Sequence, residues 1–456
     1  MAFCQPACET SQGLSKESAS EMTTAHGKSA KARLHYGWVV MGMTFVALLV
    51  AAGMRSGPTV LIVPLEQEFG WSRATLSFAI AVQLLVYGIV GPFSAGFIDR
   101  FGLRKTLLGA LLLMLVGFGL TPFITASWQL QPIWGLGLGA GTGAAAMVMA
   151  AVVANRWFVK RRGVVMGFLT GSTAAGQLVF LPLLASLVAH YGWRTAVLVG
   201  CGFVVATIPL VWLYMRDTPA QMGLKAYGHP EHEPEAPPPP RVNPFTATFA
   251  ALGQAVVVRD FWLLSGSFLV CGASTIGLIG THFIPACFDH GIAATTAAGI
   301  LAMMGAFNFV GTTASGWLSD RFDSRYLLFW YYALRGVSLL FLPYAFDMSL
   351  WGLSLFGLFY GLDWIATVPP TVRLTAGIFG SRNAGMMYGW ITVMHQIGAG
   401  AAAYGSGLLR VVSGSYQGAF FAAGALCLVA ALLVLQIDRK RRTPASATPV
   451  VVGVEL

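Results

Sequence analysis

Arg55, Arg335, Asp363 and His395 each interrupt a long apolar stretch of this sequence. A charge at the centre of a bilayer costs about 2.5–3.5 kcal/mol on insertion scales, so each needs a partner or a task. Arg55 lies in Gly53-Met54-Arg55-Ser56-Gly57-Pro58, about ten residues, or ~15 Å of helix, from the end of its apolar run at Leu65. The flanking glycines and proline would loosen a helix there and let backbone approach a ligand. A guanidinium at that depth is a fork for a carboxylate; the alternative is a structural bond to a backbone carbonyl. Arg335 and Asp363 fall at similar depths on neighbouring runs, which suggests a buried ion pair. Otherwise Asp363 is the candidate proton-carrying carboxylate.

Uncharged polar groups join them. Histidine is the side chain most easily tuned to titrate near neutral pH, so His395 is a candidate for proton coupling or ligand binding, with a packing histidine as the alternative. Gln396 adjoins it, and Gln177 lies mid-run in another apolar stretch. Gln83 and Tyr87 stand one helical turn apart and share a face. His282, near the end of its run, is either an outer gate or an interfacial histidine.

The elements that must position these groups are read from composition. Only 10% of the 456 residues are charged and 56% are hydrophobic, against about 25% charged in a soluble chain. Twelve apolar spans follow, each about 20 residues or longer, as a membrane helix requires. The expected helices are 36–65, 73–98, 104–125, 130–154, 163–189, 193–215, then 259–287, 293–319, 326–346, 349–372, 384–409 and 415–437. The fold class is therefore all-α, with twelve transmembrane helices in two six-helix bundles, 35–215 and 259–438. Residues 1–34 read as a disordered tail and 439–456 as a basic tail. Residues 216–258, with Glu231-His232-Glu233-Pro234-Glu235 and Pro237 to Pro240, read as a solvated, semi-extended linker.

Two charged loops mark a duplication. Ser94, Asp99, Arg100, Phe101, Arg104 and Leu107 return at one constant displacement as Ser315, Asp320, Arg321, Phe322, Arg325 and Leu328. The same displacement carries Pro64 to Pro285, Gly70 to Gly291, Pro122 to Pro343 and Tyr87 to Asn308. A gapless displacement over so long a stretch is a tandem repeat. It places Tyr87 and Asn308 at matched depth in the two halves, as cavity-lining groups. Of the lysines and arginines at the span ends and between spans, about 22 fall in one set of segments and three (Arg73, Arg194, Arg410) in the alternate loops. That bias puts both termini in the cytoplasm. The net charge of +10 is thus a matter of topology and calls for no nucleic acid.

The pattern resembles the major facilitator superfamily, whose loop motif after the second helix runs Gly-x-x-x-Asp-Arg-x-Gly-Arg-Arg/Lys. Ala95 takes the first glycine slot with Gly96 beside it; Asp99, Arg100, Gly102, Arg104 and Lys105 fit. The second copy is more eroded, with Asp323 in a glycine slot. Tyr36-Gly37-Trp38-Val39-Val40, Phe69-Gly70-Trp71-Ser72-Arg73 and Gly167-x3-Gly171-x4-Gly176-Gln177 with Leu181-Pro182-Leu183 look like the monocarboxylate and oxalate/formate branch. The resemblance covers about residues 35–437. Where that branch often carries Asp and Arg on the eighth helix, this chain has Asn308. The fifth helix lacks the Gly-Pro-rich motif of drug/proton antiporters.

The resemblance implies alternating access, with substrate between the halves and helices 1, 4, 7 and 10 lining the cavity. Asp99, Arg100 and Arg104, with Asp320, Arg321 and Arg325, become cytoplasmic charge clamps that steady the outward-facing state. The expected activity is movement of a small organic anion, a carboxylate held by Arg55, with protons, by a monomer in a plasma membrane such as a bacterial inner membrane. The alternatives are a proton-coupled exporter of an apolar compound and a non-transporting sensor. No nucleotide motif, metal set or nucleophile constellation suggests an enzyme or a cofactor.

Overall fold

The computed structural model describes residues 35–145, 147–229, 244–380 and 384–438. The tails 1–34 and 439–456, the His/Glu/Pro run of the linker and Arg382 lie outside them.

The chain forms α1 (Tyr36–Phe69), α2 (Arg73–Phe101), α3 (Leu103–Gly119), α4 (Ser127–Trp157), α5 (Arg162–Tyr191) and α6 (Trp193–Tyr214). After the linker come α7 (Arg259–Asp289), α8 (Ala294–Arg321), α9 (Ser324–Asp347), α10 (Leu350–Phe379), α11 (Ala384–Ser413) and α12 (Gln417–Leu435). Among the described residues eleven helices are long and apolar enough to cross a membrane. The twelfth, α11, is diluted by glycine, alanine, His395 and Gln396 because it packs between α2 and α7. In hydrocarbon every backbone polar group must be satisfied internally, so continuous helices are the natural outcome of this composition. Local signals set the ends. Gly70 closes α1 at φ +68°, Ser72 accepts from Thr75 N to open α2, and Asp323 accepts from Arg325 N to open α9.

Two apolar cores result, one built almost wholly from α1–α6 and the other from α7–α12. The halves meet where α2 lies along α11 and α5 along α8. Tyr36 Oη donates to Tyr214 O, and Arg325 Nη1 donates to Ile437 O, so the outer ends of both halves return to one face. We call it the linker face, and the opposite one the far face.

The linker departs from the solvated, extended reading of 216–258. Asp217 Oδ1 accepts from Arg104 N at 2.7 Å, placing an anion at the N-terminus of α3. Tyr227 pairs with the end of α4 through backbone bonds to Trp157 and Val159. Pro244–Ala255 is a helix whose Phe249 ring lies against Phe93 of α2 and Trp390 of α11. Ala251 and Ala255 of this helix are buried in the core of the second half while Phe249 stays more than half exposed, so the helix is seated by its small residues and not by its aromatic ring.

The expected span 349–372 is also broken. α10 unwinds at Trp364–Thr367 and resumes at Val368, where Pro369 and Pro370 have no N–H to offer the preceding turn. Just before the break, α8 and α10 touch at Gly311, where an added methyl would overlap the Leu362 carbonyl. Gly311→Ala is expected to cost about 1–3 kcal/mol by overpacking, read as a lowered unfolding midpoint of the purified protein; an unchanged midpoint would show that α8 can back away.

Candidate functional site

α1 carries Arg55 without any unwinding. A methyl on Gly53 would strike the Phe180 ring of α5, and one on Gly57 the Phe118 ring of α3. These glycines make room for aromatic rings, which corrects the expectation that they open backbone to a ligand. Arg55 is half-buried, with its guanidinium carbon 5.2 Å from the centre of the Tyr87 ring. Its backbone carbonyl accepts from Gln83 Nε2 at 3.1 Å. Among the described residues its side chain makes no hydrogen bond or ion pair.

Arg55 and Tyr87 line one small cavity with Ala51, Ala52, Thr142 and Thr173. All its walls come from α1, α2, α4 and α5. A second cavity lies between the halves, walled by Ser56, Gln177 and Leu181 on one side and by Gly280, Met304, Gly305, Asn308 and Trp364 on the other. Tyr87 and Asn308 therefore do not share a chamber, contrary to the symmetry reading. Successive residues on α1 point roughly 100° apart, so Arg55 and Ser56 serve different cavities.

Asn308 has a structural duty as well. Its Oδ1 accepts from Ile365 N and from Thr312 Oγ1, both at 3.0 Å. Arg335, fully buried, donates Nε to Asp363 Oδ2 at 2.6 Å and Nη2 to the carbonyls of Asp363 and Trp364 at 2.6 and 3.3 Å. Ser315 Oγ donates to Ala366 O. The unpaired backbone groups of the α10 break are thus taken up by α8 and α9. Arg335 and Asp363 meet as an ion pair and line neither cavity.

His395 packs on Phe268 and touches Gln396, while Gln396 nests against Gly88 of α2. Neither lines either of these two cavities, and the Oε1 atoms of Gln83 and Gln396 are buried without a partner among the described residues. These glutamines sit between helices rather than at a chamber wall.

Near the far face Arg73 and Arg410, which the sequence shows only as loop charges, join a cluster with Glu66, Asp289 and Tyr416 beside His282. Arg73 grips Asp289 with both Nη atoms at 2.7 Å, and its Nε donates to Glu66 at 2.8 Å. Arg410 Nε donates to the same Asp289 at 2.7 Å. Tyr416 Oη accepts from Arg73 and lies 3.2 Å from His282 Nδ1; His282 Nε2 is 2.7 Å from Ala403 O. Arg73 and Asp289 belong to different halves, so the far face is tied shut. The signal was present: the displacement that carries Asp99 to Asp320 carries Glu68 to Asp289, and Glu68 pairs with Arg194.

At the linker face the motif carboxylates stay at home. Asp99 pairs with Arg156 at 2.5 Å and Asp320 with Arg373 at 3.0 Å, each within its own half. Arg100 lies against Phe101, Arg104 against Trp212 and Arg321 against Trp317, while Arg325 pairs with Asp323. Among the described residues no ion pair joins the halves here, unlike the far face.

This is a two-bundle helical protein with a membrane-depth cation unpaired among the described residues, a cavity between its halves and a one-sided lock. The sequence profile of the Major Facilitator Superfamily matches residues 44–403 and again 289–452. The chain belongs to the Major Facilitator Superfamily. Members of this superfamily are transporters and not enzymes. Among its relatives is the uncharacterized MFS-type transporter YcxA of Bacillus subtilis (strain 168), 25% identical over 83% of this chain and 90% of the relative. Human monocarboxylate transporter 11 is also 25% identical, over 89% of this chain and 83% of its own. In fold the chain is similar to a D-xylose-proton symporter, with a TM-score of 0.67 at 14% identity, covering 88% of this chain and 98% of that one.

Proposed function

We propose that this superfamily transporter moves a small monocarboxylate together with a proton, and that Arg55 holds the carboxylate. The observation that carries the reading is Arg55 itself: a membrane-depth guanidinium on a cavity wall with no anion partner among the described residues. A cation kept there without a structural pair is available for a substrate anion, and the Tyr87 ring beneath it limits its rotamers. The similarity to monocarboxylate transporters supports the same class. The linker face is taken as cytoplasmic and the far face as external, in a plasma membrane such as a bacterial inner membrane. The protein works as a monomer of two bundles, 35–215 and 259–438.

Asp363 is an unfavourable proton carrier because Arg335 occupies its Oδ2; this also disfavours the apolar-export alternative that relied on it. His395 is the proton-coupling group of this proposal. His395→Gln is expected to keep carboxylate counterflow and lose proton-driven accumulation; retained accumulation would remove His395 from the coupling.

The test is proton flux in proteoliposomes enclosing a pH dye, screened with short carboxylates. Wild type should show a carboxylate-dependent pH change, and Arg55→Ala should lose it by about a hundredfold or more, the scale of a lost charge-assisted pair. Transport by Arg55→Ala at the wild-type rate would overturn the anion site.

A further inference from the structure

α7 and α11 meet along a seam whose two sides run at different pitches. On α11 the carbonyls of His395, Ala399 and Ala403 follow at the four-residue step of an ordinary helix. On α7 they are met by Gly272, Gly277 and His282, five residues apart, because Ala273–Ile279 is a π-helical stretch. At the two glycines an added methyl would overlap the facing carbonyl. At the third position the chain carries an imidazole, fully buried, with Nε2 2.7 Å from Ala403 O. A carbonyl oxygen only accepts, so Nε2 bears the hydrogen, and in the neutral ring Nδ1 is then an acceptor.

The group facing Nδ1 ties this histidine to the far-face lock. Tyr416 Oη is 3.2 Å away, and that oxygen also accepts from Arg73 Nη1 at 3.3 Å. The phenol therefore has its one hydrogen for Nδ1: Arg73 of the first half donates to Tyr416, and Tyr416 donates to His282. The surrounding charges balance among the described residues. α2 brings Arg73 and α11 brings Arg410, against Glu66 from α1 and Asp289 from α7 itself. α8 has no ionisable side chain before Asp320, and α10 meets this part of α7 through Phe356 on Phe283.

An imidazolium does not fit this arrangement. Both of its nitrogens donate, so Nδ1 no longer accepts from Tyr416. The phenol oxygen would then face two cationic donors, with no acceptor among the described residues for its own hydrogen. Glu66 and Asp289 are already spent on Arg73 and Arg410, so the added charge would be buried without a counter-ion, near an Arg73 that is 5% exposed. When the halves part, Arg73 leaves with Glu66 and the conflict goes with it. We infer that His282 is the proton-responsive residue of the far-face lock: neutral His282 holds the lock closed, and protonation releases it. Its role is a positioning one, exerted through Tyr416 on Arg73, and it depends neither on the cargo nor on the assignment of Arg55. An acid medium at the far face thereby favours the state open to that medium.

The test is the rate at which Ser56→Cys is labelled from the far face by a membrane-impermeant maleimide, without any substrate. Rates are compared between about pH 5.5 and 7.5, the range in which an ordinary histidine titrates. Labelling of the chain without that substitution is subtracted, and each rate is divided by that of the denatured protein at the same pH, which removes the titration of the reporter thiol. The chain with His282 intact should label about tenfold faster at the acid end, the ratio for one ordinary histidine that takes up a proton only when the lock opens. His282→Gln keeps a donor for Ala403 O, and His282→Asn keeps an acceptor for Tyr416; neither titrates, so each should abolish the pH response whatever its basal rate. A histidine that merely packs would change the level of labelling at every pH and leave the response in place. His290→Gln, whose ring stacks on Phe346 near the same face, should retain the response. A flat or inverted response with His282 intact would overturn the inference, as would a response that survives either substitution at His282. So would its loss in His290→Gln or His395→Gln, which would assign the proton to another ring.

Discussion

Arg335→Leu is expected to cost about 3–5 kcal/mol, enough to remove most folded protein from a detergent preparation. Two losses add. Asp363 keeps a buried carboxylate with no counter-charge, and its Oδ1 already has no partner. The carbonyls of Asp363 and Trp364, exposed by the break in α10, also lose their donor. The second loss makes the test sharper than an ordinary ion-pair deletion. The double variant Arg335→Leu/Asp363→Asn removes the stranded charge and should recover part of the stability. It cannot recover the two carbonyl bonds, each worth on the order of 1 kcal/mol. Asp363→Asn alone should be milder than Arg335→Leu, since the guanidinium keeps both carbonyls and Cys271 Sγ at 2.9 Å. Thermal unfolding of the four proteins by size-exclusion recovery checks the order. If Arg335→Leu leaves the midpoint unchanged, or the double variant is the worst, the pair does not pin the break.

How much of this was legible in the sequence depends on what kind of signal each feature leaves. The spans were legible because hydrocarbon imposes one composition over a fixed length, and only their ends moved. The meeting of Arg335 with Asp363 followed from depth alone, since two opposite charges on neighbouring helices have few other partners. The break in α10 was also written in the chain, as Pro369-Pro370, but a hydropathy window averages across it. Cavity membership was less legible, because it depends on helix rotation: Tyr87 and Asn308 share a repeat position and a depth yet face different chambers. Gln83, His395 and Gln396 look like chamber residues in a list of polar positions, and the packing of α2, α7 and α11 places them between helices. The helix Pro244–Ala255 is not legible in the sequence because the surface that buries Ala251 and Ala255 is made by residues far away along the chain.

Asp289→Asn is expected to raise the population open at the far face by about tenfold to a hundredfold, taking ~1.5–3 kcal/mol for bonds to a charged group. The geometry makes a more particular prediction than that a lock has been broken. Arg73 has one carboxylate partner in each half, Glu66 and Asp289, and Asp289 has one cation in each half, Arg73 and Arg410. When the halves separate, Arg73 keeps Glu66 and Asp289 keeps Arg410. No buried charge is stranded, so opening loses the inter-half bonds without the larger penalty of an orphan ion. Removing Glu66 should therefore act opposite to removing Asp289: in Glu66→Gln the open state leaves Arg73 without an anion, and opening becomes harder. Arg410→Gln should do the same for Asp289. A Ser56→Cys reporter, labelled from the far face with a membrane-impermeant maleimide, reads the difference. Faster labelling in Asp289→Asn and slower labelling in Glu66→Gln and Arg410→Gln are the expected results. Faster labelling in all three would mean that the cluster is a plain electrostatic latch, with no fallback partners at work.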